Sequence, residues 1–159
     1  MTYDELLMQY ENLNIKEVDL SEIDPEEEFS GLYADGNIFI RHNIPTLTEK
    51  ACTLAEEVGH HYTTSGNILD QTRTSNRKQE RKARAWAYEK MIPLTALLEA
   101  YWAGVRNRFE LAEFLDVTEQ FLQEALDYFK QKYGLFYSID NYLICFDPLS
   151  IYEDRKGVV

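Results

Sequence analysis

The apolar positions Tyr3, Leu6, Leu7, Tyr10 and Leu13 recur at three- and four-residue steps, which predicts a short helix over 3–13. An acidic linker containing Pro25 follows. Gly31 to Ile40 reads as two short strands about Asp35-Gly36, a turn that needs the positive φ those two residues tolerate. Pro45 and Thr46 open a longer helix, with Thr46 and Glu49 spaced as a capping box. Leu47, Ala51, Leu54, Ala55, Val58 and Tyr62 form its buried stripe, and it should end between Thr63 and Gly66. The polar stretch Asp70 to Asn76 leads into a second long helix, with Ala83, Trp86, Ala87 and Met91 toward the core until Pro93 stops it. Leu94, Leu97, Leu98, Tyr101 and Trp102 predict a third. Between Phe109 and Gly134 lie a short helix, the turn Asp116-Val117-Thr118 and a longer helix with Phe121, Leu122, Ala125, Leu126 and Phe129 apolar, in the manner of a helix-turn-helix. Leu135–Ile139 and Tyr142–Phe146, joined through Asp140-Asn141, read as a hairpin, so the last two units together are winged-helix-like. The whole predicts a compact, mostly helical α+β chain with a small N-terminal sheet.

A chain of 159 residues with 45% apolar content can bury one good core but not two large ones. No apolar run reaches the roughly 18 residues of a membrane span, and Met1 to Tyr10 lacks the character of a signal peptide, so a cytoplasmic location is expected. Cys52 and Cys145 are distant in sequence and fit two buried thiols better than a disulfide or a thiolate metal site. The net charge of −12 argues against the grip on phosphates that nucleic-acid binding requires. Met1 to Ile40 holds eleven acids against Lys16 alone, and Arg73 to Lys90 holds seven bases against Glu80 and Glu89. The simplest expectation is that these surfaces lie close and compensate.

Within the first long helix stands Glu56-Glu57-Val58-Gly59-His60-His61, one residue away from the His-Glu-x-x-His pattern of zinc peptidases. In that pattern two histidines four apart bind the metal, and the Glu between them takes a proton from the water the metal activates. Glu56 stands where the first His is expected. A carboxylate oxygen binds zinc at nearly the imidazole distance, and positions i and i+4 share one helix face, so Glu56 and His60 can serve as a pair with Glu57 as general base. A carboxylate ligand also suits harder ions and weakens the acidification of water. Glu-Glu and His-His pairs are common on solvated helix faces too, so the motif acquires meaning only from its context.

That context is a strand pair, the motif helix, and then Gln79-Glu80-Arg81-Lys82-Ala83-Arg84-Ala85-Trp86-Ala87-Tyr88-Glu89-Lys90-Met91-Ile92-Pro93. Over roughly residues 30–93 the chain resembles the ImmA/IrrE family of metallopeptidases, in which H-E-x-G-H is followed by a helix similar to E-A-N-x-F-A-x-x-L-L-M-P whose Glu is the third metal ligand. Leu54 to Thr64 resembles a phage branch in which Glu commonly replaces the first His. The resemblance implies a zincin-like core over 1–93 and a helical C-terminal region with hairpin over 94–159. It implies Zn2+, or Mn2+, on Glu56 and His60, with Glu57 catalytic. Lys82 falls at the family's third-ligand position and carries no lone pair while protonated, so Glu80 becomes the candidate, with an ordinary first-turn Glu as its alternative and Asp70 a weaker substitute. Gly59 fixes this register over Glu57/His61. His61 is then a second-sphere or substrate-facing group, or an exposed bystander. Tyr62 is a core residue more readily than an oxyanion donor, and His42 belongs to the surface. The family's usual task implies a partner repressor as protein substrate, with no membrane and no direct DNA contact. A scaffold whose site has decayed, regulating a repressor by binding, is the alternative.

Overall fold

A computed structural model of the chain describes residues 1–64 and 73–154, apart from the side chains of 73–75. Helix α1 (Tyr3–Gln9) opens on a capping box in which Thr2 and Glu5 exchange hydrogen bonds, and it ends at a Tyr10 cap, short of the Leu13 that the apolar spacing includes. Strand β1 (Asn14–Val18) then lies where a linker was expected. It went unread because Ile15 and Val18 are half-buried around the charged Lys16 and Glu17, which breaks the two-residue alternation. β1 runs parallel to β3 (Asn37–Arg41), and β2 (Gly31–Ala34) runs antiparallel on the other side of β3, giving the order β1-β3-β2. Asp35 and Gly36, with φ of 49° and 81°, make the β2–β3 turn as expected.

Between β1 and β2 the chain is tied down by a buried pair. Asp24 accepts from the backbone N–H of Glu28 (3.0 Å) and Phe29 (2.8 Å), while Arg41 meets the Asp24 carboxylate and donates from Nε to the Phe29 carbonyl at 2.8 Å. Among the described residues the acidic N-terminal region pairs with Arg41 through Asp24 and with Lys50 through Glu17.

Helix α2 (Leu47–Thr63) is the centre of the fold. Ala51, Leu54, Ala55 and Val58 are buried, whereas Leu47 and Tyr62, expected in the same stripe, are 62% and 50% exposed because they sit at its two ends. The Thr46 hydroxyl accepts from the Glu49 N–H at 3.1 Å, and the Glu49 carboxylate turns to a cleft. Thr46→Ala is expected to cost about 1 kcal/mol, seen as a lower urea midpoint at unchanged m value. Helix α3 (Arg73–Met91) crosses α2 at backbone contact: a Cβ placed on Gly59 would stand 2.4 Å from the Ala83 carbonyl oxygen.

Beyond Pro93 come α4 (Leu94–Trp102), α5 (Arg108–Phe114) and α6 (Glu119–Tyr133), then an antiparallel sheet of β4 (Phe136–Ile139), β5 (Tyr142–Phe146) and β6 (Leu149–Glu153). The predicted hairpin is β4–β5, and β6 adds a third strand whose Leu149 and Ile151 pack inward beyond Asp147-Pro148. The predicted third helix is α4, with Leu97 and Leu98 buried and Tyr101 and Trp102 exposed at its end. The apolar face of α6, with Phe121, Leu122, Ala125, Leu126 and Phe129, is buried in one cluster with Leu54, Ala87 and Ile92. Cys52 and Cys145 are buried free thiols. Among the described residues no helix is long and apolar enough to cross a membrane.

Candidate metal and catalytic site

Each functional side chain is set by the helix that carries it. Helical spacing places Glu56 and His60 one turn apart on a single face of α2, with Glu57 about 100° round the axis. The three line a cleft of about 1750 Å³, bounded by β2 on one side, α2 as its floor, and α3 and the start of α6 opposite.

Glu57 is the most enclosed of them, only 9% exposed. Strand β2 passes directly over it at Gly31, where a Cβ would lie 2.8 Å from both Cγ and Oε1 of Glu57 and 2.9 Å from Cγ2 of Thr53. A glycine at this strand position thus leaves room for the carboxyl. No hydrogen bond from the described residues reaches Glu57. Burial pushes its carboxyl up to about 7, and the neighbouring Glu56 and Glu80 add to that while His60 opposes it.

His60 meets Glu80 of α3, with Nε2 and Oε1 3.3 Å apart. Glu80 reaches it from within α3, two residues before Lys82, which is exposed. Burial lowers the His60 imidazole, but the contact with Glu80 outweighs it and the net direction is upward. The same contact holds the Glu80 carboxyl below its ordinary value. Glu56 is raised by burial, against which Arg84 works; Glu124, Glu80 and His60 are its other charged neighbours.

The donor set suits a divalent ion in chemistry. A separation of 3.3 Å is longer than a charge-assisted hydrogen bond of about 2.7–2.9 Å, and two donors bonded to one tetrahedral ion at about 2.0–2.1 Å lie roughly that far apart. The 3.3 Å separation is that of an ion pair and is also compatible with two donors of one ion. The third is not drawn in: among the described residues no three His, Cys, Asp or Glu side chains form a group able to hold a metal. Glu56 is on the same helix face as His60 and lines the cleft, with Arg84, Glu124, Glu80 and His60 as its charged neighbours. One imidazole and two carboxylates would make a harder, more anionic set than two imidazoles.

His61 is absent from the cleft lining. Its ring packs edge-on against Tyr33 (5.7 Å) and Tyr62 (5.1 Å), with Nδ1 buried and without a partner among the described residues. Tyr62, expected more readily in the core, instead stacks half-exposed on Trp86 at 5.5 Å. His42 is on the surface, and Asp70 lies outside the described residues. Three participants escaped the sequence reading. Arg84 was within reach of it, four residues after Glu80 on one face of α3. Gly31 had been assigned only to its strand. Glu124, held by the Tyr88 hydroxyl and Gln120 at 2.9 Å each, comes from α6 and left no local signal.

A buried acid beside a histidine and a second carboxylate, in a cleft under an edge strand, has the arrangement of a metallopeptidase-like domain. Residues 5–127 match Peptidase_M78, the IrrE N-terminal-like domain, and the chain belongs to that family, whose members are generally metal-dependent. The match takes in every residue of the site and runs past Pro93 into α6. No curated protein and no solved structure is found to match the chain.

Proposed function

We propose that this chain is a metal-dependent endopeptidase of phage or mobile-element origin that cuts an extended segment of a partner transcriptional repressor. The observation that carries the reading is Glu57: an enclosed carboxyl beside the His60–Glu80 pair, with no hydrogen bond among the described residues. Glu56, His60 and Glu80 would hold the ion. A zinc or manganese ion bound there supplies Lewis acidity toward a water and a scissile carbonyl. Glu57 takes the proton as the water attacks and returns it to the leaving amine, a two-way role that fits a carboxyl raised to about 7. Among the described residues strand β2 pairs only with β3, so its other edge can align a peptide by main-chain hydrogen bonds over the acid. Direct DNA contact forms no part of this reading, since the chain carries a net charge of −12 and α6 brings Glu119, Glu124 and Asp127 to its polar face.

A second reading, an inactive scaffold that regulates a repressor by contact, is favoured by the want of any three His, Cys, Asp or Glu side chains grouped to hold a metal among the described residues. Incubating the protein with zinc or manganese and the repressor encoded beside it separates the two. Cleavage at one site, stopped by a chelator, supports the peptidase; a stable complex with intact repressor supports the scaffold. In parallel, Glu80→Gln is expected to weaken zinc binding by more than the roughly 10- to 100-fold that loss of an outer-shell partner costs, measured by competition with a chromogenic chelator, whereas Lys82→Gln should leave it unchanged.

A further inference from the structure

The cleft carries more negative charge than the proposed chemistry uses. Besides Glu56, Glu57 and Glu80, five carboxylates line it: Glu27 and Glu28 before β2, Asp35 after it, Glu49 at the start of α2, and Glu124 on the facing wall. Two guanidiniums are present. That of Arg41 is committed to Asp24, with Glu27 4.0 Å away, which leaves Arg84 as the guanidinium outside any salt bridge among the described lining residues. Glu124 is fixed in place by Tyr88 and Gln120, so its charge is presented rather than free to swing away. Glu57, nine-tenths buried and without a hydrogen bond, is aimed into the same space.

We infer that the segment this cleft accepts is an extended one bearing lysine or arginine side chains, its backbone added to the free edge of β2 and its cations meeting Glu27, Glu28 and Glu124. The inference rests on the proposed function in that the segment bound is the segment cut. Two physical effects make it selective. A strand rises about 3.3 Å per residue and sends successive side chains to opposite sides, so basic residues along it can meet acids on either side of the cleft. An acidic segment would bring like charges into a groove partly shielded from water, which excludes it by repulsion as well as by lack of attraction.

The test uses the full chain with Glu57→Gln, so that binding is read without turnover, and three fluorescent peptides of one extended sequence carrying Lys, Gln or Glu at the variable positions. Anisotropy at low salt is expected to rank them Lys, Gln, Glu, with the first and last at least about tenfold apart in Kd, and the gap should narrow as salt is raised. Adding Glu27→Gln, Glu28→Gln and Glu124→Gln together, with the melting temperature unchanged, should remove most of that gap. Equal binding of the three peptides overturns the inference, as does a preference that survives the triple substitution. If the Lys peptide binds with this preference but wild type with metal never cuts it, the peptidase reading fails and the selectivity stands. Cutting without charge preference has the reverse meaning.

Discussion

Glu57→Gln is expected to abolish turnover and, in the metal-free protein, to raise stability above pH 7. Loss of a general base costs about 10²- to 10⁴-fold in rate, and here the amide can neither take the proton nor return it. The stability gain follows from the acid's surroundings. Its carboxyl moves from 4.5 to about 7 on folding, chiefly through burial. The native state therefore keeps a proton that the unfolded chain releases, so stability declines as pH rises from about 4.5 to 7 and levels off above. Gln resembles the protonated acid and has no such decline. At pH 8 the variant should be the more stable by about 2–3 kcal/mol, several degrees in Tm for a chain of this size. At pH 4 the two should melt together. Thermal melts with chelator at both pH values check this, and a variant less stable than wild type at pH 8 would mean that the acid is tied down by a partner.

Gly59→Ala is expected to cost about 3 kcal/mol or more and to disturb the site as well. The added methyl meets backbone, the Ala83 carbonyl oxygen at 2.4 Å, so no side-chain rotation relieves it and α2 and α3 must move apart. Those helices carry His60 and Glu80, whose contact spans the same crossing. Denaturant unfolding should show the lower midpoint, and zinc affinity should fall along with it. Gly31→Ala is the contrasting case, since the groups it meets are the Glu57 and Thr53 side chains.

Much of the fold could be read from the chain, and what escaped did so for physical reasons. The apolar stripe of α2, the Asp35-Gly36 turn, the break at Pro93 and the α5–α6 pair each depend on local spacing or turn chemistry, and all are present. β1 is held by parallel pairing with β3, a partner over twenty residues away, and its own sequence alternates poorly. β6, by contrast, pairs antiparallel with its chain neighbour β5 across Asp147-Pro148. In the site, Glu56, Glu57 and His60 share one helix, so their spacing alone gave their arrangement. Glu80 needed the crossing of α2 and α3, and Glu124 needed the packing of α6 against α3, neither of which a linear pattern contains. The exposure of Tyr62 shows the limit of periodicity at helix ends, where a residue on the correct face can run past the core.

The most direct test is a crystal grown with zinc, with data collected across its absorption edge. The account predicts one anomalous peak within about 2.0–2.2 Å of His60 Nε2 and of carboxylate oxygens from Glu80 and Glu56, with Glu57 beside it. An empty site, with His60 and Glu80 still in direct contact and Glu56 turned to Arg84, would contradict it.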